Sequence, residues 1–122
     1  MYKFEKLEVY QLALTYTDMI YTLVEKLPRF EENNLKSQII RAATSVVLNI
    51  AEGSTSQSDL EQRRFLGMAV RSLIETVACQ QLIRKRRYVA EEELEKAYDF
   101  SQTVFAKLQA MRRSLLKGRT QH

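Results

Sequence analysis

Leu35-Lys36-Ser37-Gln38-Ile39-Ile40-Arg41-Ala42-Ala43-Thr44-Ser45-Val46-Val47-Leu48-Asn49-Ile50-Ala51-Glu52-Gly53 is the stretch on which the fold turns. Its polar residues Gln38, Arg41, Ser45, Asn49 and Glu52 recur at intervals of 3, 4, 4 and 3, which traces one stripe of an α-helix. Around the stripe stand Ile39, Ile40, Ala42, Ala43, Val46, Val47, Leu48, Ile50 and Ala51. A solvated helix face is wide and rich in charge. Single polar groups set among alanines instead call for hydrogen-bonding partners, on facing helices or on another chain.

A chain of 122 residues, 45% of them hydrophobic, can bury one core, so a single domain over residues 1–122 is expected. Three Gly and one Pro leave little material for the turns that many short strands need. The fold class expected is all-α. Nineteen Lys and Arg against fifteen Asp and Glu give a net charge of +4, which permits a nucleic-acid or anionic partner without demanding one. One Cys excludes an intramolecular disulfide, and the single His, His122, stands in a terminal tail. No apolar run approaches membrane-spanning length, and Met1-Tyr2-Lys3-Phe4-Glu5-Lys6 has no signal-peptide core. The expected location is the cytoplasm, with no membrane partner.

Working outward from the central stretch, Leu7, Tyr10, Leu14, Thr17, Tyr21 and Val24, widened by Ala13, Ile20 and Leu27, predict a first helix stopped by Pro28. Asn33 or Asn34 is the expected N-cap of the second helix, and Gly53 its left-handed C-cap. Ser58-Asp59-Leu60-Glu61 has capping-box spacing, after which Phe65, Met68, Ala69, Ser72, Thr76, Cys79, Leu82 and Ile83 mark the inner face of a third helix ending near Arg86 to Val89. A fourth helix starts near Glu91, buries Leu94, Tyr98, Ser101, Phe105, Leu108 and Leu115, and gives way to a disordered tail over 117–122 after Gly118. Connections this short predict an antiparallel up-down-up-down four-helix bundle. In it Gln38 and Arg41 come level with Ser72 and Glu75, and a buried Arg41–Glu75 ion pair is expected.

The pattern Leu27-Pro28-x-x-Glu31, then Leu35-x-x-Gln38-x-x-Arg41-Ala42-x-x-Ser45-x-x-x-Asn49-Ile50-Ala51-Glu52-Gly53, then Phe65-Leu66-x-x-Ala69-x-x-Ser72-Leu73-x-Glu75 resembles the bacterial four-helix-bundle proteins encoded within intervening sequences of large-subunit ribosomal RNA genes. The resemblance implies a helical bundle that assembles into a ring, commonly a homopentamer, with no enzymatic activity. The chain is also similar to the accessory proteins of diversity-generating retroelements, which form basic pentameric barrels and bind nucleic acid in reverse-transcriptase complexes. It departs from the pattern at Tyr10, where Trp is frequent, at Val47, where Pro is common, at Ser56, where a basic residue often follows the Gly, and at Arg71, where a Gly usually precedes the Ser. Ser56 weakens any nucleic-acid contact at that turn, while Arg71 adds charge on the third helix.

Catalysis needs convergent groups, and the usual ones are absent from the sequence. There are no Glu-x-x-His pairs for a di-iron site, no Cys pair for zinc, no glycine-rich phosphate loop and no nucleophile elbow, so no cofactor and no metal are expected. Cys79 falls on an apolar face and reads as a small core residue. Glu52 and Glu75 could be imagined as an acid/base pair, but charges neutralised by Arg41 and Arg63 or Arg64 are the plainer reading.

Basic residues are the better lead. Residues 101–122 hold Lys107, Arg112, Arg113, Lys117 and Arg119 and no acid. Antiparallel packing would bring them to Arg63 and Arg64 at the start of the third helix, and near Lys3 and Lys6. A second run, Arg84 to Arg87, falls at the other end, where Glu91, Glu92, Glu93 and Glu95 partly cancel it. The expected function is therefore a non-enzymatic, ring-forming bundle. Arg63, Arg64, Arg112, Arg113, Lys117 and Arg119 would hold phosphates of RNA or DNA without sequence specificity, alone or within a ribonucleoprotein. Gln38, Arg41, Ser45, Asn49, Glu52, Gly53, Ser72 and Glu75 would set packing and subunit contacts. The competing expectation is an oligomeric protein-interaction scaffold with no nucleic-acid ligand.

Overall fold

The structure is a computed structural model that describes the backbone of residues 1–120 and the side chains of residues 1–116. Four helices dominate: α1 (Glu8–Val24), α2 (Ser37–Gly53), α3 (Asp59–Arg86) and α4 (Glu91–Thr120), with no strand among the described residues. The ends show how they run. Glu8 at the start of α1 pairs with Lys107 late in α4 at 2.7 Å, while Lys26 just beyond α1 pairs with Glu93 early in α4 at 2.6 Å. Ser45 of α2 meets Ser72 of α3, and Gly53 meets Phe65. Arg63 of α3 meets Arg112 of α4, and Arg84 meets Glu91. Each helix is therefore antiparallel to its neighbours, as the short connections require.

Local chemistry accounts for most of the boundaries. Ser58 caps α3, its hydroxyl accepting the Glu61 backbone N–H at 3.1 Å. At the other end of α3, Arg87 takes the left-handed conformation (φ 60°). Its N–H bonds to the Arg84 carbonyl and the Tyr88 N–H to the Ile83 carbonyl, the paired bonds of a Schellman ending. Entry into α2 differs from expectation. Pro28 leads a 3-10 turn (Arg29–Glu31), and a π turn (Glu32–Lys36) then feeds straight into α2. With helical backbone already in place, neither Asn33 nor Asn34 serves as N-cap. The expected tail is also displaced, because the α4 backbone runs through Gly118 to Thr120. The remainder of that expectation lies outside the described residues.

Gly53 is needed for a reason other than the one its position suggested. No glycine among the described residues has a positive φ, and Gly53 lies inside the last turn of α2. A Cβ there would come within 3.0 Å of the Phe65 Cβ, a rigid atom at the root of a side chain. The glycine lets α2 and α3 close on each other just after the turn that joins them.

The buried faces are rotated from those predicted. In α1 the core residues are Val9, Ala13, Tyr16, Ile20, Leu23 and Val24, leaving Leu14 and Tyr21 partly in solvent. In α3 they are Leu66, Ala69, Val70, Leu73, Thr76, Cys79, Gln80 and Ile83, so Met68 and Leu82 face out and Phe65 and Ser72 are half-buried. In α4, Leu94, Ser101 and Leu108 are buried as expected with Ala97 and Val104, whereas Phe105 is turned outward. Tyr98 and Leu115 are half-buried.

A buried polar network explains the rotation of α1 and α3. Tyr16 is wholly buried and its hydroxyl lies 2.7 Å from both Thr76 Oγ1 and Gln80 Nε2. The Thr76 hydroxyl donates to the Leu73 carbonyl, so Tyr16 donates to Thr76 and accepts from Gln80. Every proton is thereby placed. Burial is the largest influence on the Tyr16 hydroxyl and raises it to about 12.

A second tie joins the two connections at the opposite end from Gly53. Glu31 is buried, accepting from the Tyr88 hydroxyl at 2.9 Å and from Asn34 Nδ2 at 3.1 Å. The Tyr88 hydrogen bond is the largest of the influences holding its carboxyl below the usual range. Burial opposes it, and Asn34, the Leu35 backbone and the charge of Arg86 reinforce it.

Two consequences can be measured. Tyr16→Phe removes the link between Gln80 and Thr76 and should cost roughly 1–3 kcal/mol in denaturant unfolding at neutral pH. Because an unfolded tyrosine ionises near 10 and Tyr16 only at about 12, the wild type should lose stability as pH rises through that interval, and Tyr16→Phe should flatten this part of the profile. Glu31 works in the opposite direction. Its contribution is present above the unfolded carboxylate value of 4.5 and is lost as pH falls through its lowered folded value. Glu31→Gln should therefore be less stable at neutral pH and fall less steeply on acidification, as read by denaturant midpoints between about pH 6 and about pH 3.

Candidate nucleic-acid interface

The polar file of α2 divides in two. Ser45 and Asn49 are half-buried and engaged: Ser72 Oγ donates to Ser45 Oγ at 2.9 Å, and Asn49 Nδ2 donates to Ser45 Oγ at 3.0 Å and to its carbonyl at 2.9 Å. This forms the polar seam of α2 with α3. Gln38, Arg41 and Glu52 are exposed. Gln38 donates to Asn34 at 2.8 Å, and Arg41 donates to Ser37 at 3.1 Å.

The expected Arg41–Glu75 pair is not formed. Both residues are exposed, and no ion pair joins them. On a solvated rim each charge keeps its water, and little is gained by ordering two long side chains. Glu52 and Glu75 also lie toward opposite ends of the α2–α3 pair, so they form no acid/base couple. Arg41, Thr44, Ser45, Leu48, Asn49 and Glu52 instead line a shallow surface groove of about 400 Å³, in which Leu48 is 55% exposed.

The arginines converge more closely. Leu60, Arg63, Arg64, Gly67, Met68, Val70 and Arg71 of α3, with Arg112 of α4, line an open groove of about 480 Å³. Arg63 Nε donates to the Arg112 carbonyl at 3.3 Å, tying the two helices at this point. The Arg112 guanidinium lies over Gly67, 3.5 Å from where a Cβ would stand, and its Nη1 donates to Gln109 at 2.8 Å. The Arg112 Nε is buried without a protein acceptor. None of the ion pairs among the described residues involves these four arginines.

Arg63, Arg64 and Arg112 are thus brought together as expected, and Arg71 joins them. Arg71 follows Arg64 by seven residues, two helical turns along one face, a spacing already visible in the sequence. Arg113 is exposed outside the groove, and the side chains of Lys117 and Arg119 lie outside the described residues. Lys3 and Lys6 sit in a 3-10 turn (Lys3–Lys6) ahead of α1 and do not line the groove. Lys107 is engaged by Glu8.

The opposite end is electrically quieter. Arg84 Nε stands 2.8 Å from Glu91, near enough for an ion pair though off line for a hydrogen bond, and Lys26 meets Glu93. Among the described residues no three His, Cys, Asp or Glu side chains form a metal-binding group. No described helix is long and apolar enough to cross a membrane. Cys79 is buried in the core, where desolvation first and the charge of Glu75 second push its thiol up.

Comparison with known proteins agrees with this architecture. A crystal structure at 1.70 Å of a protein of unknown function from the S23 ribosomal protein family of Bacteroides thetaiotaomicron VPI-5482 superposes with a TM-score of 0.79 at 25% identity, covering 85% of this chain and 97% of that one. No curated protein matches significantly. The family profile described as 23S rRNA-intervening sequence protein matches residues 5–110, which include both connections tied by Glu31 and Tyr88, the α2–α3 seam and three of the four groove arginines. The chain belongs to the 23S rRNA-intervening sequence protein family.

Proposed function

We propose that the protein is a non-enzymatic, self-assembling helical bundle that binds RNA or DNA through the arginine surface where the start of α3 meets the later part of α4. The observation that carries this reading is the groove of Arg63, Arg64, Arg71 and Arg112, to which no carboxylate is ion-paired among the described residues and in which a buried guanidinium N–H finds no acceptor among them. Guanidinium groups present planar forks of donors that fit phosphate oxygens, and four of them around one groove repel one another until an anion enters. Phosphate contacts of this kind give affinity and salt dependence but no base sequence. The ligand is met alone or as part of a ribonucleoprotein.

Self-assembly draws support from apolar surface left uncovered. Leu48 lies in the outward groove of α2, and Ile74 (54% exposed), Leu82 and Phe105 lie outward on α3 and α4. Ile74 and Phe105 border one shallow depression, and apolar side chains exposed in this way on a small bundle favour contact with another surface. A closed ring of copies would repeat the arginine groove around a rim, so that a modest local charge becomes a strong collective field.

Two measurements test these statements. Fluorescence anisotropy with generic RNA and DNA should show binding that weakens as salt rises, and an Arg63→Ala, Arg112→Ala double variant should weaken it and reduce the salt slope by roughly 1–2. Binding indifferent to salt, or unchanged in the variant, would remove the phosphate reading. Light scattering should give an assembly several times the 14.3 kDa chain mass, and Leu48→Glu should shift it toward that mass. A wild type that runs as one chain at every concentration would refute the assembly.

A further inference from the structure

The arginine groove is not lined by arginines alone. Leu60 is 50% exposed and Met68 41% exposed, and both line it. On α3 the sequence Leu60, Arg64, Met68, Arg71 runs along one face at intervals of 4, 4 and 3 residues, apolar and cationic side chains in alternation. Successive members are about 5–6 Å apart along the helix axis. Gly67 lies under the Arg112 guanidinium, which borders the same groove.

Phosphate binding by itself does not account for Leu60 and Met68. A duplex offers its phosphates on the outside and keeps the flat faces of its bases stacked within, so against duplex the two apolar side chains would meet only hydrated backbone. A single strand differs. Its bases can splay from the backbone and lay a face on apolar, sulfur-bearing or guanidinium surface while the flanking phosphates reach cations. Methionine is suited to such a face because its side chain adapts and its thioether contacts π-systems favourably. A second copy of this chain is a poor occupant, since it would have to cover four uncompensated guanidinium groups of a protein that is itself cationic.

Building on the nucleic-acid reading above, we infer that the groove takes single-stranded RNA or DNA. A phosphate would be held by Arg112 with Arg63, and bases would lie on Leu60 and on Met68, with Arg64 between the two and Arg71 beyond Met68. Because most bases present an apolar face, the groove is tolerant of sequence and selective for strandedness.

The test uses the full chain and three probes: a short mixed-sequence single strand, the same strand annealed to its complement, and inorganic polyphosphate. The single strand should bind roughly 3–10-fold tighter than the duplex at equal salt. Leu60→Ser with Met68→Ser should lower single-strand affinity by a similar factor and leave polyphosphate binding unchanged, whereas Arg112→Ala should weaken all three. Both serine positions are exposed, so the core is not disturbed. Duplex bound as tightly as single strand, or a serine double variant with unaltered preference, overturns the strand assignment and leaves the phosphate surface standing. Failure of all three probes to bind at low salt overturns both.

Discussion

The hydroxyl of Tyr16 sets the geometry on which the other features rest. Apolar side chains drive helices together without direction, and a bundle packed by them alone can slide or turn at modest cost. A buried phenol cannot. Its oxygen must find partners in the low-dielectric interior, and it finds Thr76 and Gln80, one turn apart on α3. Meeting both at 2.7 Å fixes the height of α1 against α3 and the rotation of α3 about its own axis. That rotation decides which face of α3 is turned away from the core. Leu60, Arg64, Met68 and Arg71 are outside because Leu66, Ala69, Leu73 and Thr76 are inside.

From that constraint the small residues of α2 acquire their meaning. Gly53 brings α2 within van der Waals reach of Phe65, and farther along the same seam Ser45 receives hydrogen bonds from Asn49 and Ser72. A close seam at one end and the Glu31–Tyr88 tie at the other hold all three connections, so the helices are clamped at both ends as well as through the middle. The motif residues from Glu31 to Ser72 are in this sense one device. Ser45, Asn49, Ser72 and Glu31 have their hydrogen bonds committed to holding the chain together, while Gln38, Arg41 and Glu52 face solvent.

How far the sequence revealed this depends on what each residue type needs. Helix number, order and most ends were legible, since Ser58, the acidic start at Glu91 and the apolar periodicity are local signals. Faces were less so. Counting large apolar residues placed Leu14, Tyr21, Met68 and Phe105 inside along with Ala13 and Ala69; the two alanines are buried as expected, but the helix pairing buries Tyr16 and Val104 in place of the larger side chains. Tyr16 was invisible as a core anchor because its partners are some 60 residues away in the chain. The Arg41–Glu75 pair failed for a related reason: level position along the bundle was inferred correctly, but rotation put both groups in water. Arg63, Arg64 and Arg112 were legible as a group because antiparallel topology alone brings them together, and Arg71 followed from the helical repeat.

The two ends of the bundle differ in how their charges are offset. Both carry arginine runs, and helix dipoles would welcome cations at each C-terminus. At the α3–α4 corner part of that charge is answered locally, since Arg84 and Lys26 face Glu91 and Glu93 from the acidic first turn of α4, while Lys85, Arg86 and Arg87 stay in solvent. At the other end the arginines come from the first half of α3 and the later part of α4, and no ion pair among the described residues offsets their repulsion. Four guanidinium groups kept together against their mutual repulsion are poor choices for stability. An external anion reverses that balance, and the exposed leucine and methionine set between the charges favour an anion that also brings an apolar face.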